Sequence, residues 1–155
     1  MRIFTWGGAE IGNNVHLGAP SILGSEPYLI SIGDNTYFSG LDIQLITHDG
    51  SIMQLFYMGK TNKKLDYLGK IKIGKNCFIG SRVLILKNVE LGDNCIVGAG
   101  AVVTKSFPSN SVIAGIPAKL ICTTDEFYNK NKIFLSDTFG MSYEEKRKWC
   151  EQNRL

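Results

Sequence analysis

Residues 73–108 read IGKNCF IGSRVL ILKNVE LGDNCI VGAGAV VTKSFP when cut every six residues. The first position of every hexad is aliphatic, although Leu, Ile and Val make up only about a quarter of the chain. Chance would give such a column in roughly one register in four thousand, so the period itself is the signal. Glycine follows in four of the six hexads, and the fifth position holds Cys, Val, Val, Cys, Ala and Phe. The same phrase stands earlier as IGNNVH (11–16), LGAPSI (17–22) and IGDNTY (32–37). A six-residue period predicts a parallel β-helix, one short strand and one turn per hexad. Three hexads then make an 18-residue circuit, and circuits stack at about 4.8 Å. The first-position aliphatics would form a ladder inside. The glycine after them would sit where the turn crowds the backbone or wants a positive φ. Cys77 and Cys95 are 18 residues apart and should stack as small core residues.

Two interruptions stand against this regularity. Between Leu23 and Ile32 the chain carries three extra residues around Glu26, Pro27 and Tyr28. From Asp49 to about Lys72 the period is lost, and a repeat scaffold tolerates that only if the segment leaves as a protruding loop. At the far end Gly115–Lys119 (GIPAK) closes the coil, which sets a repeat domain over 1–122 and an extension over 123–155. Within the extension Ser142-Tyr143-Glu144-Glu145 is a capping box, so a short helix is expected over about 142–153. It would cover the open end of the coil or reach a neighbouring subunit.

Composition bounds the function classes. The 155 residues are one domain's worth, and 44% hydrophobic against 20% charged suffices for a core without disulfides. No 18-residue apolar run exists and the N-terminus has no signal-peptide pattern, so no membrane-spanning segment is expected. The four cysteines form no CxxC pair and read as reduced thiols of a cytoplasmic protein. Two histidines cannot supply a three-histidine metal site, and no metal is expected. Net charge is −4 over residues 1–59, +7 over 60–122 and zero beyond. This polarity leads one to expect that the middle of the chain faces an anion, with a solvated lysine-rich loop at Lys60, Lys63 and Lys64 as the alternative for part of it. The excess is too mild, and too poor in interleaved aromatics, for nucleic acid.

His48 stands where the period breaks, between a β-coil and the protruding loop. An imidazole there can take a proton near neutral pH, as a general base must. His16 lies inside a regular hexad and reads as a solvent-facing residue. Asp49 could orient His48, but Asp49-Gly50 is also an ordinary turn dipeptide. Glu26 and Tyr28 in the short insertion, with Tyr57 and Met58 in the long one, are residue types that bind sugars.

These phrases carry a resemblance. The hexads, Thr47-His48-Asp49-Gly50 and the run GAGAVVTKSFPSNSVIAGIPAKLI (98–121) resemble the hexapeptide-repeat acyltransferases. GSEPYLISIGDN (24–35) and ITHDGS (46–51) are similar to the sugar O-acetyltransferases, including the galactoside and maltose acetyltransferases and their polysaccharide-modifying relatives. The resemblance covers roughly residues 10–122. It implies an all-β, left-handed parallel β-helix, a homotrimer with active sites between subunits, and acetyl-CoA as co-substrate. It implies that His48 is the base for direct acetyl transfer to a hydroxyl of a sugar or polysaccharide precursor. It also implies donor contacts at Ser81, Ala99, Thr104, Lys105 and Lys119; acceptor contacts at Glu26, Tyr28 and Asp49 are expected from residue type and position, not from the resemblance. Several relatives have arginine where Lys119 stands. The alternatives are an N-acetyltransferase for an amino sugar, a drug-detoxifying acetyltransferase, or a structural β-helix subunit without an active site.

Overall fold

The computed structural model describes residues 4–40 and 42–153. Its strands are β1 (Phe4–Trp6), β2 (Ala9–Ile11), β3 (Ile30–Ile32), β4 (Tyr37–Phe38) and β5 (Gln44–Ile46). After a short helix α1 (Gln54–Tyr57) come β6 (Ile71–Ile73), β7 (Phe78–Ile79), β8 (Leu84–Leu86), β9 (Val89–Leu91), β10 (Ile96–Val97) and β11 (Val102–Val103). Strands β12 (Ser111–Ala114) and β13 (Lys119–Thr123) lead into helices α2 (Thr124–Asn131) and α3 (Tyr143–Gln152). Strands dominate, as the period predicts. They form three sheets, ordered β1-β2-β3-β6-β9, β13-β12-β10-β7-β4 and β11-β8-β5. From β6 to β11 the chain visits the sheets in strict rotation. Ile71 pairs with Val89, Phe78 with Ile96 and Leu84 with Val102, all parallel and 18 residues apart. Ile11 pairs with Ile32, a circuit lengthened by the three-residue insertion.

The hexad pattern explains what faces inward. Ile73, Ile79, Ile85, Leu91, Val97 and Val103 at the first position are buried, and so are Cys77, Val83, Val89, Cys95, Ala101 and Phe107 at the fifth. All belong to one core shared by the three sheets. The two demands expected of the turn fall on different residues. Glycine answers the crowding: a Cβ on Gly74 would lie 2.6 Å from the Gly92 carbonyl carbon of the next circuit. Asparagine answers the left-handed backbone: Asn14, Asn35, Asn76, Asn94 and Asn110 have φ between 53° and 65°. Their side chains form a ladder in which each Nδ2 donates to the next Oδ1, at 3.0, 3.2, 3.0 and 2.9 Å.

At each end of the stack one sheet finishes on a reversed strand. β1 runs antiparallel to β2, and β13 antiparallel to β12. Beside the third sheet, Val102 N–H donates to Gly115 O (3.0 Å) and Ala118 N–H to Val102 O (2.8 Å). The extension holds two helices where one was expected. Thr123 and Glu126 form a capping box for α2, as Ser142 and Glu145 do for α3. Neither helix buries a residue, so β13 and not α3 covers the last parallel strand of the second sheet. Among the described residues no helix is long and apolar enough to cross a membrane.

Candidate active site

The excursion leaves and rejoins the scaffold at one point. His48 and Leu68 form an antiparallel bridge, Asp49 N–H donates to Tyr67 O (2.9 Å) and Gly69 N–H to Thr47 O (2.8 Å). His48 follows β5 in the third sheet, and the excursion ends at β6 in the first. The imidazole thus stands at the corner between those two sheets.

Glu26 reaches this corner from the circuit before. It precedes the 3-10 turn Pro27–Leu29, where proline at the first position sets the turn. Its Oε2 accepts from the hydroxyl of buried Thr47 (2.5 Å) and lies 2.9 Å from His48 Nδ1. The bond from Thr47, then that from His48, holds the Glu26 carboxyl below the usual carboxylate range. An ionised carboxylate only accepts, so Nδ1 carries a proton, and in the neutral ring Nε2 is the nitrogen with the lone pair. The His48 side chain is 46% exposed, so the ring is reachable from solvent.

Asp49 faces another task. Its carboxylate accepts from Ser51 N–H (3.1 Å) and Ser51 Oγ (2.6 Å), and Lys87 Nζ lies 3.0 Å away. These bonds, the Ser51 hydroxyl first, bring its pKa down to about 2. Asp49 therefore fixes the excursion, and Glu26 is the carboxylate that orients His48. Lys87 also lies over the Tyr67 ring (4.4 Å). Thr47 and Lys87 had escaped sequence reading, although Thr47 stands 21 residues after Glu26, the length of that lengthened circuit.

The expected donor residues border the third sheet. Ser81 and Ala99 stand on successive circuits, linked by Gly100 N–H donating to Ser81 O (2.8 Å). The Ser81 hydroxyl donates to Ser39 O, so only its lone pairs face a ligand. Thr104 and Lys105 follow β11 and are exposed; Lys105 Nζ lies 5.5 Å from the Phe107 ring. Lys119, exposed, follows the Ala118 that bonds to Val102. Tyr28 lines a separate groove of about 520 Å³ on the first sheet with Glu10, Ser31, Lys70, Lys72 and Glu90. Tyr57 and Met58 stand exposed on the excursion.

Comparison with known proteins adds a second line of argument. The family description "Hexapeptide repeat of succinyl-transferase" fits residues 70–105. Protein CapG of Staphylococcus aureus is 41% identical over 143 residues, 90% of this chain and 80% of that protein. Galactoside O-acetyltransferase of Escherichia coli (strain K12) is 34% identical over 115 residues, 71% of this chain and 54% of that protein. Among solved structures, a galactoside acetyltransferase in complex with coenzyme A superposes with a TM-score of 0.51 at 26% identity, covering 77% of this chain and 66% of that one.

Proposed function

The chain belongs to the hexapeptide-repeat acetyltransferases, and from that premise we propose that it is an acetyl-CoA-dependent O-acetyltransferase acting on a sugar hydroxyl of a polysaccharide precursor. The observation that carries the reading is the Glu26–His48 pair, 2.9 Å apart, at the corner between a donor face and an acceptor groove. Acetyl-CoA supplies an activated thioester. It is also a long polyanion, and a flat strip of small residues (Ser81, Ala99) flanked by exposed lysines (Lys105, Lys119) suits that shape and charge. The acceptor would enter over the first-sheet groove past Tyr28.

Chemistry follows from the proton inventory. His48 Nε2 takes the proton of the acceptor hydroxyl as its oxygen attacks the acyl carbon. Glu26 stabilises the imidazolium that forms and keeps the ring aimed. Backbone N–H groups of the donor strip stabilise negative charge on the acyl oxygen. His48 then returns its proton to the leaving sulfur, which closes the cycle without a covalent enzyme intermediate.

In this reading the three-sheet rotation winds as a left-handed β-helix, and the working form is a homotrimer in the cytoplasm with a site in each cleft between subunits. The third sheet of a single chain is a flat face, whereas ligand sites are concave. The test is release of CoA from acetyl-CoA across a panel of free, nucleotide-linked and lipid-linked sugars and amino sugars. Wild type should acetylate a sugar hydroxyl, and His48→Ala should lose about 10²–10⁴-fold in kcat while binding CoA as before. More than half of wild-type turnover in His48→Ala would overturn the role of this histidine. Preference for amino sugars would replace O- by N-transfer.

A further inference from the structure

We propose that the acceptor is a diphosphate-linked sugar and that the excursion between His48 and Lys70 is the surface that binds its diphosphate. The proposal rests on His48 as the base, because the excursion begins and ends at that residue. Its composition is lopsided: Lys60, Lys63, Lys64 and Lys70 stand against two acids, Asp49 and Asp66. Asp49 is already held by Ser51 and Lys87. Among the described residues none of the four lysines is ion-paired, and all four are exposed. Like charges gathered on one short segment favour an anion as their partner.

The cations are also placed. Lys64 Nζ lies 5.9 Å from the Phe56 ring centroid and 5.4 Å from that of Tyr57, and the two rings meet edge to face at 5.4 Å. Such an ammonium is directed by the ring faces. Beside it Tyr57 is 63% and Met58 65% exposed, an apolar surface next to a positive one. That pairing fits a ligand with a diphosphate joined to an aromatic base or a hydrocarbon chain, and a free sugar carries no such group. Lys70 connects the loop to the groove that Tyr28 lines, so one molecule could span both. Lys105 and Lys119 border the third sheet instead, and in the proposed function they, and not the excursion, take the phosphates of CoA.

The test uses the intact protein, wild type and the triple variant Lys60→Gln/Lys63→Gln/Lys64→Gln, both checked for equal thermal midpoints. With CoA saturating, inorganic diphosphate, uridine diphosphate and a long-chain isoprenyl diphosphate in detergent are titrated in turn. Wild type should bind inorganic diphosphate, and the triple variant should bind it at least 10-fold more weakly with unchanged affinity for CoA. Tighter binding of the uridine or the isoprenyl probe then names a nucleotide or a lipid carrier. In turnover, the diphosphate-linked form of the best acceptor should have at least 10-fold higher kcat/KM than the free sugar, and the triple variant should close that gap through KM. No diphosphate binding by wild type, equal use of free and linked sugars, or a loss of CoA affinity in the variant would overturn the proposal. Diphosphate binding without any acetyl transfer would instead sink the acetyltransferase reading and leave the binding surface standing.

Discussion

One bond decides what the imidazole of His48 can do. Because Glu26 accepts from Nδ1, the proposed mechanism uses Nε2; Glu26→Gln replaces a fixed acceptor by an amide that can donate to the same nitrogen. We expect this variant to lower kcat about 10–100-fold with KM for acetyl-CoA unchanged. The shorter Glu26→Asp, which keeps the charge, should recover part of the loss. An effect on KM alone would make Glu26 an acceptor ligand. Asp49 gives a different signature. Its pKa falls from about 3.9 in an unfolded chain to about 2 in the folded one, so its hold on the excursion is complete above about pH 4 and is lost as pH falls through about 2. Hydrogen-exchange protection of the Gly69 amide, bonded to Thr47 O, should stay level from pH 7 to 4 and drop below that. In Asp49→Asn it should be lower throughout. Sequence reading could single out His48 because the period breaks there. It could not pair Glu26 with His48, because partnership across a lengthened circuit is invisible to a local pattern, and it weighed Asp49 because adjacency in the chain says nothing about direction at a corner.

At the scale of the strand and its turn, the hexad was the most legible feature, since first and fifth positions must both enter one core. What it left open was the division of labour within the turn. Gly74→Ala should destabilise by about 1–3 kcal/mol, because its Cβ would meet the backbone of the next circuit at 2.6 Å. Asn76→Ala should cost about 1–2 kcal/mol from its left-handed backbone, with a further loss from two ladder bonds. Asn76→Gly removes only the ladder term. Urea midpoints of the three variants check the order, and a harmless Gly74→Ala would refute the crowding argument. Helix α2 was missed because its capping box follows directly on β13, where the extended run masks the start of a new period.

For the whole molecule, the flat third sheet and the uncovered extension ask for neighbours. Phe134 is 74% and Phe139 103% exposed in the single chain, and α3 buries nothing. Sedimentation should show a trimer. Inactive His48→Ala and Ala99→Trp proteins, unfolded and refolded together, should regain activity if each cleft joins the histidine of one subunit to the donor strip of another. Mixed trimers without activity would place both halves in one subunit. Association of this kind is beyond what a repeat can announce, because the period reports on neighbours along the chain. The reversed strands at the two ends carry one more consequence. A stack of identical rungs has no inherent length: every exposed parallel edge is a template for another rung, from its own chain or from a stranger. By turning β1 and β13 antiparallel, the molecule ends with strands that no longer offer the next rung its register. Two sheets of the three thus carry a terminator at one end each, set apart from the repeat between them, so whole circuits can be gained or lost between β1 and β13 without touching either one.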